Sequence, residues 1–161
     1  AMAKAFRIGD HRSGYYRDQT FMLALNEISV QQIFSALYAN TDLKKEPMSG
    51  GRQMGSHFMS NYIDEKGDFI DSTQKYNSSA DISPTSGQMP RLLGLAMASK
   101  LYREGSFNSK NFSNNGNEVA WGTIGNASTS EGPFFEVFNA AGVHQVPMII
   151  SVWDDEYGIS S

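Results

Sequence analysis

Cysteine is absent from the 161-residue chain. That excludes disulfides, thiolate metal sites and a cysteine nucleophile, and it fits a reducing compartment such as the cytoplasm. Positive charge is not in excess: 13 Lys and Arg stand against 17 Asp and Glu, for a net charge of −4, and the basic residues are scattered. No nucleic-acid partner is expected from such a pattern. Apolar runs are short of the roughly 18 residues that a membrane span requires, so no membrane association is expected. The opening Ala-Met-Ala-Lys-Ala-Phe lacks the apolar core of a signal peptide. Three catalytic signatures are missing as well. There is no Gly-x-x-x-x-Gly-Lys-Ser/Thr phosphate loop, no Gly-x-Ser-x-Gly elbow and no histidine pair at helical metal-binding spacing. What is present is a globular composition, 40% hydrophobic and 12% aromatic, in a chain the size of one domain or part of one.

Periodicity divides the chain unevenly. Asp18 to Glu27 and Ser29 to Asn40 read as short helices. The second has Ser29 as a candidate N-cap and an apolar stripe of Ile33, Phe34, Leu37 and Tyr38. Thr41 to Ala80 lacks periodicity and has few apolar anchors, so it reads as a long irregular excursion. Met89 to Glu104 reads as a strong helix with Pro90 in its first turn and small residues at Gly94, Ala96 and Ala98 for close packing. Glu118 to Ile124, Glu131 to Val143 and Pro147 to Trp153 read as strand, helix and strand, a βαβ unit with a parallel pair. An α/β fold follows. Two strands alone do not finish a sheet, so the chain reads as a partial domain spanning residues 1–161.

Ligands of such folds bind beyond the carboxyl ends of the strands. Here those ends are Gly125-Asn126-Ala127-Ser128 and Asp154-Asp155-Glu156-Tyr157. The first is a small-residue turn entering a helix. It suits an anion such as phosphate, or is an ordinary capped helix start. The second is an acidic turn that offers oxygen ligands for a hard cation or is a solvated loop. Ser13-Gly14-Tyr15-Tyr16-Arg17-Asp18 offers an Arg fork and Tyr donors to a phosphate, or is a helix-start turn with a surface ion pair. Ser49 to His57 and Asp81 to Gln88 are turn-rich. His57 in its glycine-rich loop is the candidate proton donor, whereas His11 reads as exposed and His144 as structural.

Taken in order, these segments resemble one family. Tyr16-Arg17-Asp18, Gly51-Arg52-Gln53-Met54 with His57, Ile82-Ser83-Pro84 with Gln88 and Pro90, Gly125 through Gly132, and Tyr157-Gly158-Ile159-Ser160 are similar to the alpha subunit of the thiamine-diphosphate-dependent decarboxylase component of 2-oxo acid dehydrogenase complexes. The branched-chain (2-oxoisovalerate) type, or the alpha part of a fused alpha–beta chain, matches best. The resemblance implies a Rossmann-like thiamine-diphosphate-binding fold and oxidative decarboxylation of a 2-oxo acid with acyl transfer to lipoyl. It implies a beta subunit or beta part, a lipoylated acyltransferase component and an oligomer as partners. It assigns the diphosphate to Tyr16, Arg17, Ser83, Thr85 and the Gly125-Asn126-Ala127-Ser128 turn. Magnesium falls to Asn126, Asp155 and the backbone carbonyl of Tyr157. The acid and amide of the family's metal pair are exchanged, with Asn126 where the family has the acid and Asp155 where it has Asn. Gln88 corresponds to a potassium-binding Gln, although Gly87 replaces the usual Thr ligand, and Trp153 replaces a diphosphate-contacting Arg. Two further readings stand beside this one: a non-catalytic domain of the same fold that supports assembly, and a transketolase-like or acetoin-cleaving thiamine-diphosphate enzyme.

Overall fold

A computed structural model describes residues 1–53 and 57–159. Its helices are α1 (Met2–Ala5), α2 (Gln19–Ala24), α3 (Val30–Leu37), α4 (Met89–Arg103) and α5 (Gly132–His144). Its strands are β1 (His11–Ser13), β2 (Asn77–Ser78), β3 (Ala120–Gly125) and β4 (Met148–Trp153), all parallel in one sheet of order β2-β1-β3-β4. The β3-α5-β4 unit pairs in register from Ala120 opposite Met148 to Gly125 opposite Trp153.

The sheet is larger than the two strands legible from hydrophobic runs. β1 joins β3 through His11, Arg12 and Ser13, and β2 adds Asn77 and Ser78 at the far edge. Both are polar in sequence, and Arg12, Ser13, Asn77 and Ser78 are nevertheless fully buried. The excursion from Thr41 to Ala80 therefore delivers an edge strand. It is also anchored where few anchors were expected, because Met48 and Phe58 join the core.

Alternation along β3 builds the two faces. Trp121 packs with Phe6, Phe21, Met22 and Phe58 on one side. Ala120 and Ile124 pack with Met89, Leu92, Ala96 and Val137 of α4 and α5 on the other. Gly122 lies on that second face, where a Cβ would come within 2.2 Å of Leu92 Cδ2. Close approach of α4 to the sheet thus depends on Gly122 and Ala96. Gly94 faces open space.

α3 has the expected N-cap as a reciprocal box: Gln32 N donates to Ser29 Oγ at 3.2 Å and Ser29 N donates to Gln32 Oε1 at 2.8 Å. Its apolar stripe does not face the core as expected. Ile33 packs inward, but Phe34, Leu37 and Tyr38 are exposed. No described helix is long and apolar enough to cross a membrane.

From β1 the chain passes to β2 on one side and then to β3 on the other. The strand order reverses between β1 and β3, and such a reversal opens a crevice beyond the strand ends.

Candidate active site

A cavity of about 520 Å³ occupies that crevice. Four loops build its wall. The loop after β1 supplies Tyr15, Tyr16 and Arg17, and the turn before α4 supplies Ser83, Thr85, Ser86 and Gln88. The turn after β3 supplies Gly125, Asn126, Ala127 and Ser128, and the segment after β4 supplies Tyr157. The structure therefore brings Tyr16, Arg17, Ser83, Thr85, Gly125, Asn126, Ala127, Ser128 and Tyr157 to one place, although they span most of the sequence. Asp155 is at the rim rather than in the wall. Its Oδ2 accepts from Arg17 Nη1 at 3.0 Å. His57 is carried to the same rim by its Nε2, which is hydrogen-bonded to Ser83 Oγ, and by its ring, 6.4 Å from that of Tyr16.

Four polar atoms of the wall are buried without a partner: Tyr15 Oη, Ser86 Oγ, Gln88 Oε1 and Asn126 Oδ1. Buried polar groups are normally paired, so such a cluster at one cavity calls for a ligand or ordered water. The hydroxyls of Tyr15 and Ser86 can donate to an anion. Burial pushes the Tyr15 phenol up, which keeps its proton in place at neutral pH. The two amide oxygens can only accept, and a cation or a donor satisfies them. Ser86 also has a φ of +63°, a left-handed conformation that costs a non-glycine residue energy. Gln88 is fixed from behind by donation from its Nε2 to Thr123 O at 2.8 Å, so its other amide atom is held in place.

Among the described residues no group of three or more His, Asp or Glu side chains is placed to hold a metal ion. A cation here would have to complete its shell with ligand oxygens, as magnesium does beside phosphates. Asn126 Oδ1 fits that role as an unsatisfied oxygen, and the donors around it fit a phosphate-bearing group.

The sequence model of the family described as "Dehydrogenase E1 component" matches residues 1–161. The chain belongs to this family. It is 28% identical over 151 residues to the 2-oxoisovalerate dehydrogenase subunit alpha of Bacillus subtilis (strain 168), a match covering 94% of this chain. The chain spans 37% of the length of that relative.

In this dehydrogenase E1 component chain, Trp153 turns away from the cavity. It packs beside the Phe6–Trp121 core, and its Nε1 donates to Ser151 Oγ at 3.1 Å. Asp154 is tied into its own turn by accepting from Glu156 N at 2.8 Å, and both acids are exposed. His11 is not exposed as expected: it is half-buried, with Nδ1 enclosed and unpartnered and its proton affinity lowered by burial. His144 is exposed at the end of α5, where its carbonyl accepts from Lys100 Nζ at 2.6 Å. Met54 of the Gly-Arg-Gln-Met run and Ser160 of the last matching run lie outside the described residues.

Sequence reasoning placed Tyr15 within the Ser13–Asp18 candidate and Ser86 within the Asp81–Gln88 turn, but assigned neither residue a role of its own. It also missed a buried charge cluster beneath the wall, Arg12 with Asp18 and Asp81. The signal available for it was an arginine inside a segment too polar to read as a strand.

Proposed function

We propose that this chain forms the diphosphate- and magnesium-binding portion of a 2-oxo acid decarboxylase component of the branched-chain type, with thiamine diphosphate as cofactor. The observation that carries this reading is the convergence of Tyr15 Oη, Ser86 Oγ, Gln88 Oε1 and Asn126 Oδ1, all buried and unpartnered, on one cavity at the strand-order reversal. Membership of the dehydrogenase E1 component family and the name of the Bacillus subtilis relative support it.

When bound, thiamine diphosphate supplies a nucleophilic carbon and an electron sink for loss of CO₂ from a 2-oxo acid. The chain's own residues bind and orient it. Tyr15, Tyr16, Arg17, Ser83, Thr85 and Ser128 offer donors to the diphosphate, with Gly125 and Ala127 letting the backbone approach. Asn126 Oδ1, an Asp155 carboxylate oxygen and the Tyr157 carbonyl are the magnesium ligands, and Gln88 Oε1 is the acceptor for a potassium ion. His57 Nε2 is hydrogen-bonded to Ser83 Oγ at the rim, where the imidazole can exchange a proton with a bound substrate. A beta subunit or beta part, a lipoylated acyltransferase component and the 2-oxo acid are the partners in this reading, within a cytoplasmic oligomer.

Calorimetric titration of the full-length assembled protein with thiamine diphosphate, with and without magnesium, tests the proposal. Magnesium-dependent binding that weakens in Asn126→Ala supports it. Binding that ignores both magnesium and Asn126 overturns the assignment of the site. A second reading, a non-catalytic domain of the same fold, draws on the Arg17–Asp155 pair. That pair engages the cation meant for diphosphate with the carboxylate meant for metal.

A further inference from the structure

We infer that Asp81 is a positioning residue that locks the His57 rim of the cavity to the Arg17 rim through Arg12 and Asp18. The inference rests on the reading of the cavity as a cofactor site. Arg12, on β1, is wholly buried, as is Asp18, and Asp81 is 6% exposed. Arg12 Nε donates to Asp18 Oδ2 at 3.2 Å, and Nη2 donates to Asp18 Oδ1. The same Nη2 lies 2.7 Å from Asp81 Oδ1. Nη1 donates to Ser78 Oγ on β2, and Thr123 of β3 donates to Asp18. The cluster therefore ties three strands to the two loops that carry candidate ligands. Asp18 follows Arg17 directly, and Asp81 precedes Ser83 by two residues.

Asp81 also grips the other side. Phe58 N donates to Asp81 Oδ2 at 3.0 Å, and Asp81 N donates to Phe58 O at 2.9 Å. Both bonds fall on the residue after His57. They fix the backbone from which His57 reaches Ser83, and Ser83 stands on the same short segment as Asp81. Gly14 shows how tightly the parts are fitted. A Cβ there would meet Arg12 Nη2 at 2.3 Å and Asp18 Oδ2 at 2.5 Å, so only glycine lets the loop pass over the cluster.

Two carboxylates share one guanidinium away from water. Buried ion pairs are poor sources of net stability, because desolvation offsets attraction. Geometry is the better account: the guanidinium is bidentate on Asp18, which fixes its direction, and the same Nη2 meets Asp81 Oδ1 as an ion pair. Here those partners are the roots of two cavity walls.

The test compares Asp81→Ala with the near-isosteric Asp81→Asn in the full-length assembled protein. Amide hydrogen exchange at Phe58 and Ser60 is read against exchange at Ile149 to Val152 of β4, together with thiamine diphosphate affinity in the presence of magnesium. Asp81→Ala should speed exchange at Phe58 and Ser60 about tenfold or more, leave β4 protected, and raise the cofactor Kd about tenfold, as loss of one buried hydrogen bond to a charged group implies. Asp81→Asn keeps one acceptor oxygen, enough for Phe58 N but not also for Arg12 Nη2, so it should restore protection at Phe58 and Ser60 while cofactor affinity stays lowered. Equal acceleration in β4 overturns the inference in favour of a merely structural role. So does an unchanged Kd with a loosened loop, or an Asn variant that protects Phe58 and Ser60 no better than Ala. If the wild-type protein binds no thiamine diphosphate, the cofactor reading fails, and the exchange contrast alone decides the lock.

Discussion

Arg17 Nη1 donates to Asp155 Oδ2 at 3.0 Å, joining the loop after β1 to the loop after β4 across the mouth of the cavity. Both side chains are about half exposed, so the pair contributes little stability by itself. Its consequence is for ligand binding. If Arg17 grips the diphosphate as proposed, Arg17→Ala removes a charge-assisted contact and should weaken thiamine diphosphate binding by roughly 1.5–3 kcal/mol, about ten- to a hundredfold. Asp155→Ala separates two roles. If Asp155 is a magnesium ligand, magnesium-dependent binding falls sharply. If it only pairs with Arg17, the variant frees Arg17 and cofactor affinity rises. Asn126→Asp combined with Asp155→Asn exchanges the acid and the amide of the proposed metal pair and should bind about as well as the wild type. Calorimetry on the assembled protein reads all three.

Glycines on the two sides of α4 should respond with opposite signs. At Gly122 an added Cβ meets Leu92 Cδ2 at 2.2 Å and Leu92 Cδ1 and Cγ at 3.3 Å. Leu92 is wholly buried and cannot swing clear. Gly122→Ala should therefore cost about 1–3 kcal/mol by overpacking. Gly94→Ala adds a methyl where nothing lies within 4 Å, inside a helix, and should stabilise by up to about 1 kcal/mol. Thermal denaturation of the two variants beside the wild type checks the contrast. A stabilising Gly122→Ala would mean that α4 does not seat against β3 as described.

α4, α5, β3 and β4 were legible because apolar residues recur there at helical spacing or in short unbroken runs. β1 and β2 were not. His-Arg-Ser and Asn-Ser have no hydrophobic pattern, and they are buried because Arg12, Ser78 and Asn77 find polar partners inside the fold. Hydrophobicity cannot signal a strand whose buried side chains are polar and paired inside the fold. The stripe of α3 misled for the converse reason: Phe34, Leu37 and Tyr38 have helical spacing, yet no described element covers them. The site followed the same division. Each wall segment was recognisable as a turn, and the resemblance put the turns in order. The gathering of Tyr15, Ser86, Gln88 and Asn126 required the strand-order reversal, which in turn required β1 and β2.

Asp81 gives the fold a pH dependence. Burial pushes its carboxyl up to about 7, with Asp18 adding to the effect and Arg12 opposing it. The folded state therefore holds the Asp81 proton more tightly than the unfolded chain, whose ordinary value is 3.8. A raised carboxylate affinity contributes stability below the unfolded value and loses it as pH rises through the folded one. Asp81→Asn mimics the protonated form and removes this contribution to the slope. Denaturant titrations at pH 5 and pH 8 should show the Asn variant gaining on the wild type as pH rises. A constant difference between the two proteins would place the Asp81 proton outside this window.

Glu46 should do the opposite. It is fully buried in the excursion before His57, and its carboxylate accepts from Met48 N at 2.9 Å, Ser49 Oγ at 2.7 Å and Gly51 N at 2.8 Å. Burial alone would raise its proton affinity, but the donors overcome it and the carboxyl titrates below its ordinary value. A depressed carboxylate contributes stability that is present above the ordinary value of 4.5 and lost as pH falls through the folded one. The turn it holds cannot form easily without it. Gly51 has a φ of +78°, and a Cβ there would come within 2.6 Å of Ala39 O, so the backbone is pressed against the end of α3. Glu46→Gln retains the shape and one acceptor oxygen but leaves donors of Ser49 or Gly51 unpaired, at about 1–3 kcal/mol for a buried group left unsatisfied. Amide exchange at Met48, Ser49 and Gly51 should rise in Glu46→Gln at neutral pH, and in the wild type only as acid protonates Glu46. Gly51→Ala should loosen the same amides at every pH, because its defect is steric. Unchanged protection in Glu46→Gln would show that packing of Met48 in the core, rather than the carboxylate, holds the excursion in place.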